Sequence, residues 1–113
     1  MFQTTIQLKW IGKSADDLRF FILADGMHAG GITIHSVSGG SFSYGVAITP
    51  SMRRKGIAKA ALGQLFELMR QRGFGTVQVQ IAPGNAASIA LHTSLGFAEI
   101  GRDEQQITLE KAL

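Results

Sequence analysis

The hydrophobic period of this chain first changes at about Met52, and that change constrains the fold more than any other feature. Before it, the pattern alternates. Phe2, Thr4, Ile6, Leu8 and Trp10 take every second position, which predicts a strand over residues 2–11. Residues 12–17 read as a loop, 18–24 as a second strand, 29–37 as a third and 42–48 as a fourth. Asp25-Gly26 and the run Ser38-Gly39-Gly40-Ser41 are the turns between strands two, three and four, so this half is an antiparallel meander. From about Met52 the apolar residues instead fall at Ile57, Ala61, Leu65 and Leu68, flanked by Ala58, Leu62 and Met69. That is helical spacing, with Lys59, Gly63, Glu67 and Arg70 on the polar face and Gly73 placed to end the helix.

Beyond Gly73 the elements shorten. Val77, Val79 and Ile81 alternate with Gln78 and Gln80, a strand over residues 76–81 with one wet face. Asn85 is a good helix cap, and a short helix runs from it to Leu95 and stops at Gly96. Residues 97–100 and 105–109 make the last two strands. The expected architecture is α+β: one domain over residues 1–113, with a mixed, mostly antiparallel sheet of about seven strands and two helices.

Composition narrows the chemistry. With 45% hydrophobic and 17% charged residues the chain can bury a core and is not a disordered segment. No apolar run approaches the length needed to cross a bilayer, and a cytoplasmic location is expected. The absence of cysteine excludes disulfides, thiolate zinc sites and cysteine nucleophiles. His28 and His35 lie seven apart, hence on opposite faces of a regular strand, and no metal site is expected. Gly12-Lys13-Ser14 imitates the end of a P-loop, but the required first glycine falls on Gln7. Trp10, Phe20, Phe21 and Phe66 are read as core.

Charge is concentrated. Of a net +3, the window from Arg53 to Arg72 carries +5: Arg53, Arg54, Lys55, Lys59, Arg70 and Arg72 against Glu67 alone. Within it, residues 48–58 join a strand to a helix through Thr49, Pro50, Ser51, two arginines and a lysine. Backbone N–H groups at a helix start lack intrahelical partners, and the helix dipole favours an anion there. Gly56 and Ala58 are small enough for a bulky ligand to approach the backbone. The segment is therefore a candidate diphosphate cradle; an ordinary helix start with its cations in water has the same composition. A second candidate is residues 85–97, where Asn85, Ser88 and His92 form one polar stripe and Ala87, Leu91 and Leu95 a buried one.

The first segment resembles the acyl-CoA-binding motif of the GNAT superfamily of N-acetyltransferases: Gln or Arg, two residues, Gly, one residue, then Gly or Ala. Arg53, Gly56 and Ala58 fit it. The second resembles that family's next motif at Asn85, Ser88, Leu91, His92, Leu95, Gly96 and Phe97. The resemblance covers roughly residues 18–109. It implies acetyl-CoA as co-substrate, with its diphosphate on the backbone of Arg54, Lys55, Gly56, Ile57, Ala58 and Lys59 beside Arg53. The pantetheine arm would lie between splayed strands at residues 45–48 and 76–81, near Asn85 and Ser88. The main chain at Ala47 and Ile48 would polarise the thioester carbonyl.

The chain departs from that pattern in three places. His92 stands where many members have a tyrosine that protonates the departing thiolate; His92 is a candidate acid or a packing residue. Residues 41–48 contain no acid to serve as base, which leaves Tyr44, His35 or a water chain. The usual pair of helices between the first two strands is missing. Since those helices wall the acceptor pocket, the resemblance implies an open pocket, a homodimer, or a large amine acceptor such as a peptide or protein. The implied activity is direct acetyl transfer to a primary amine. The alternative is a CoA-binding domain of the same fold without catalysis, acting as a sensor or scaffold. Nucleic-acid binding by the basic helix explains the charge but not the small Gly56 and Ala58.

Overall fold

A computed structural model describes residues 4–14, 17–53 and 56–113. The expected strand start at Phe2, and Arg54 and Lys55 of the candidate cradle, lie outside these. Seven strands form one sheet in the order β1-β2-β3-β4-β5-β7-β6. They are β1 (Ile6–Ser14), β2 (Asp17–Ala24), β3 (Met27–Ser38), β4 (Ser41–Ile48), β5 (Thr76–Ile81), β6 (Ala98–Arg102) and β7 (Ile107–Ala112). Helix α1 (Ile57–Gln71) joins β4 to β5, and α2 (Ala86–Ser94) joins β5 to β6. Only β4 and β5 pair in parallel. A parallel pair needs a crossover, and α1 is that crossover. The expected α+β architecture is the observed one. Among the described residues no helix is long and apolar enough to cross a membrane.

Several expectations are corrected. Of the expected loop over residues 12–17, four positions are strand: Gly12 pairs with Arg19, Lys13 with Leu18 and Ser14 with Asp17, while residues 15 and 16 lie outside the described residues. A bulge between Trp10 and Gly12 sets Ile11 outside the register and lets pairing continue past the break in alternation. A second irregularity opposes Ile22 to Gly30 and Leu23 to His28, leaving Ala29 as the extra residue. It resets the parity of β3, so His28 and His35 share a face instead of opposing. The last two strands run later than expected, because residues 97–100 and 105–109 are displaced to Ala98–Arg102 and Ile107–Ala112. The first helix starts at Ile57, after a single 3-10 turn at Pro50–Met52.

The core lies between the helices and one sheet face. Ile22, Ile32, Ile34, Phe42, Val77, Val79, Ile107 and Leu109 meet Ala61, Leu62 and Leu65 of α1. Burying each large aliphatic side chain contributes about 1.5–3 kcal/mol. Of the four aromatics expected in the core, Phe66 is buried, but Trp10 is 62% and Phe21 38% exposed. Trp10 stands on the edge strand β1, where the carboxyl end of α1 leaves an open hollow beside it, so it is not covered. Gly30 is required where β3 crosses β4: a Cβ there would be driven into the carbonyl oxygen of Ala47.

Candidate active site

The parallel pairing of β4 with β5 lasts three residues. Ser41 meets Thr76, Phe42 meets Val77, Ser43 meets Gln78, and there it stops. From Tyr44 to Ile48 the edge of β4 facing β5 has no strand partner, while its other edge stays paired to β3 through Gly30 and Ile48. Thr76 to Gln78, expected to flank the cleft, are thus part of the closed end; on β5 only Val79 to Ile81 lie beyond the parting. A strand edge with unpaired N–H and C=O groups offers hydrogen bonds to an extended ligand.

The open end of β4 leads into the first candidate segment. Thr49 turns the chain, its N–H and hydroxyl both donating to the Ala29 carbonyl at 2.8 and 3.2 Å. Arg53 reaches back, its Nε donating to the Ile48 carbonyl at 3.1 Å, so this arginine braces the loop against the strand. Gly56 then takes φ +73°, a left-handed conformation that other residues adopt only with strain, and no atom lies within 4 Å of where its side chain would begin. It is the cap of α1, and no side chain caps this end. The first bond of the helix is from Ala60 N–H to the Gly56 carbonyl at 3.1 Å. The amides of Ile57, Ala58 and Lys59 precede that bond, and no acidic residue stands in the first turn. The end is therefore free for an anion in both geometry and charge.

The second candidate segment folds as a capped helix, but its buried face differs from expectation. Asn85 Oδ1 accepts from Ser88 N–H at 3.2 Å, the expected cap. Ala87 is exposed and Leu91 and Leu95 half-buried; the one buried side chain of α2 is His92, at 2% exposure. A buried imidazole needs partners for both nitrogens. Nδ1 lies 2.8 Å from the Ser88 carbonyl and so carries the proton, which leaves Nε2 to accept from the Tyr44 hydroxyl at 2.9 Å. Phe66 and Phe97 pack around the pair, with ring centroids 5.9 Å from Tyr44 and 5.1 Å from His92 respectively. Burial pushes the Tyr44 phenol well above its ordinary value. It also holds the His92 imidazole below the ordinary histidine range, against a smaller upward pull from the Ser88 carbonyl. Both groups are therefore neutral at neutral pH.

The fold thus brings Tyr44 and His92 together, and places Tyr44 at the first residue past the parting of β4 from β5. His35 is not part of this group. It sits opposite Ser43 in the β3–β4 register, its carbonyl accepting from Ser43 Oγ at 3.1 Å, on the sheet face away from Tyr44. Ala47 and Ile48 lie on the unpartnered stretch of β4, Gly56 to Lys59 at the helix start, and Asn85 and Ser88 at the start of α2. Sequence reasoning missed the Tyr44–His92 bond, for two residues 48 apart carry no local signal of contact. It also missed the brace from Arg53 to Ile48.

A strand that parts from its parallel neighbour thus runs into an uncapped, glycine-started helix. A model of the "Acetyltransferase (GNAT) family" matches residues 2–97, and the chain belongs to that family. Among curated relatives, the [ribosomal protein bS18]-alanine N-acetyltransferase of Escherichia coli is 38% identical over 56 residues, which are 50% of this chain and 38% of that protein. An L-methionine sulfoximine/L-methionine sulfone acetyltransferase of Pseudomonas aeruginosa is 36% identical over 66 residues, 58% of this chain and 38% of that protein. The matches thus span well under half of these relatives. Among solved structures, the ribosomal-protein-S18-alanine N-acetyltransferase of Escherichia coli superposes with a TM-score of 0.71 at 26% identity, covering 89% of this chain and 70% of that one. The PaiA N-acetyltransferase of Thermoplasma acidophilum, in complex with coenzyme A, gives 0.78 at 19% identity over 87% of this chain and 62% of that one, a likeness of fold.

Proposed function

We propose that the protein transfers an acetyl group from acetyl-CoA directly to a primary amine, and that the acceptor is the amino terminus of a peptide or protein. The observation that carries the reading is the continuity of the open β4 edge with the uncapped start of α1. A diphosphate on the amides of Ile57, Ala58 and Lys59, with Arg54 and Lys55 adding charge, sets the pantetheine arm along Ala47 and Ile48. Arg53 fixes the loop that joins the two, and Asn85 and Ser88 border the arm from α2. The relatives named for alanine acetylation on ribosomal proteins support the acceptor class.

In the reaction the amine nitrogen attacks the thioester carbonyl carbon. The C–N bond forms as the C–S bond breaks, CoA leaves as a thiolate that takes up a proton, and the new ammonium group loses one. Tyr44 and His92 are each neutral and bonded to one another, so neither is a strong acid or base. They hold the wall of the cleft where the thioester ends, and water carries the protons. His35, on the other face, stays available on the acceptor side. Rate enhancement then rests on holding the amine against the thioester and on main-chain polarisation at Ala47 and Ile48. With β1 running into β2 through two residues, the acceptor side has no helical wall, which suits a macromolecular acceptor or completion by a second subunit in a homodimer. Some of the matching proteins are named for acetylating a ribosomal protein, which supports a cytoplasmic setting.

The test is calorimetric titration with acetyl-CoA and CoA, followed by thiol release with a panel of peptide amino termini and small amines. Saturable binding and turnover on peptides are expected. Saturable CoA binding without turnover on any acceptor favours the non-catalytic sensor or scaffold, a reading that the missing carboxylate in β4 supports. No binding of either nucleotide overturns both.

A further inference from the structure

Where α1 ends, a concavity of about 580 Å³ opens between the helix and the β1–β2 hairpin. Its volume falls within the range of small-molecule sites, roughly 300–1,000 Å³. Trp10, Leu18 and Phe20 form one wall and Leu68 and Phe74 the other, with Val37 at the edge. Trp10 and Val37 are 62% and 49% exposed, so the mouth is apolar as well as the floor. Among the described residues that line it, Arg72 alone is charged. The ion pairs found among the described side chains are Arg70–Glu67 and Arg102–Glu99, and neither engages Arg72. The carbonyls that would make this helix end negative are partly taken up. Met69 O accepts from the N–H of Arg72 and Phe74, and Arg70 O from that of Gly73, each at 3.1 Å. What remains is one cationic residue, Arg72, in the lining of an otherwise apolar hollow.

We propose that this hollow binds a small amphipathic monoanion, its aliphatic or aromatic body against Trp10, Phe20 and Phe74 and its carboxylate on Arg72. The charge decides the class. An apolar body gains from the hollow whatever its head group, but only an anion also gains a charge-assisted bond to Arg72. Eleven residues of α1 lie between Gly56 and Leu68, the first residue of the helix to line the hollow, about 18 Å along the helix axis, so the site is distinct from the cofactor cradle.

Trp10 is the only tryptophan in the chain, so its emission reads this site without a label. Octanoate is titrated at neutral pH into the full chain, with octanol and octylamine as matched neutral and cationic probes. A saturable shift of Trp10 emission to shorter wavelength is expected with octanoate, at an affinity about tenfold or more above either other probe. Arg72→Gln, a change on the surface, is expected to reduce octanoate to the level of octanol while leaving acetyl-CoA titrations as they are. No shift with octanoate overturns the proposal, as does equal binding of octanol or indifference to Arg72→Gln. Emission that shifts with protein concentration alone means that a second copy fills the hollow, and also overturns it. None of these outcomes depends on acetyl transfer.

Discussion

The two ends of α1 solve the same problem in opposite ways. Every helix leaves backbone groups unpaired at its ends. At the amino end no side chain among the described residues caps them: Gly56 stands there, Arg53 is turned back to Ile48, and the amides of Ile57, Ala58 and Lys59 precede the first helical bond. At the carboxyl end the chain covers its own, with Gly73 and Phe74 donating to Arg70 and Met69. One end therefore recognises through main chain, and the other only through the side chains around it. Between them Ala61, Leu62 and Leu65 have no exposed surface and tie both ends to the sheet.

The largest effect should come from that shared middle. Leu65→Ala removes a fully buried side chain and should lower stability by about 2–5 kcal/mol in denaturant unfolding, disturbing both ends together. Gly56→Glu should break the symmetry. A carboxylate in the cradle and a strained positive φ are expected to weaken acetyl-CoA by about 100-fold or more, with the response of Trp10 to octanoate unchanged. Loss at both ends would mean that the helix itself has moved.

Tyr44→Phe probes the cleft between them. It leaves His92 Nε2 without its donor and should cost about 1–3 kcal/mol. Turnover should fall by less than about tenfold, whereas proton donation by the phenol would be worth roughly 100-fold or more. The same pair sets a pH dependence. His92 titrates lower folded than unfolded, so its contribution is full above the unfolded value of about 6.5 and is lost as pH falls through the folded one. Tyr44 titrates higher folded, so its contribution is full below about 10 and is lost as pH rises beyond that. Unfolding free energy followed against pH should fall on both sides, and His92→Gln should remove the acid-side slope. The smallest effect belongs to the surface. Glu67→Gln breaks an exposed, solvent-screened pair with Arg70 and should leave the denaturant midpoint nearly unchanged.

Much of this was legible in the sequence where the signal is local. The Asp25-Gly26 turn, the clean alternation of Val77, Val79 and Ile81, and the Asn85 cap each fix a short element by themselves. The period change from about Met52 located the first helix, and Gly56 marked its start. What failed depended on partners. Bulges at Ile11 and Ala29 reset the parity of whole strands, and the expected loop at residues 12–17 and the expected opposition of His28 and His35 failed with them. Trp10 was read as core from its type, but core requires something to cover it. The buried face of α2 was assigned to alanine and leucine, whereas its buried side chain is His92, whose nitrogens are satisfied by the Ser88 carbonyl and the Tyr44 hydroxyl with Phe97 packed beside the ring. No spacing rule sees a contact across 48 residues.

The central claim is that one continuous edge, the open half of β4 and the amides that start α1, holds the cofactor. Amide chemical shifts of nitrogen-15-labelled protein during titration with CoA test it residue by residue. The account predicts the largest shifts at Gly56 to Lys59 and at Ala47 and Ile48, with Leu68 to Phe74 little changed. Shifts confined to the far end of α1, or no shifts at saturating CoA, would contradict it.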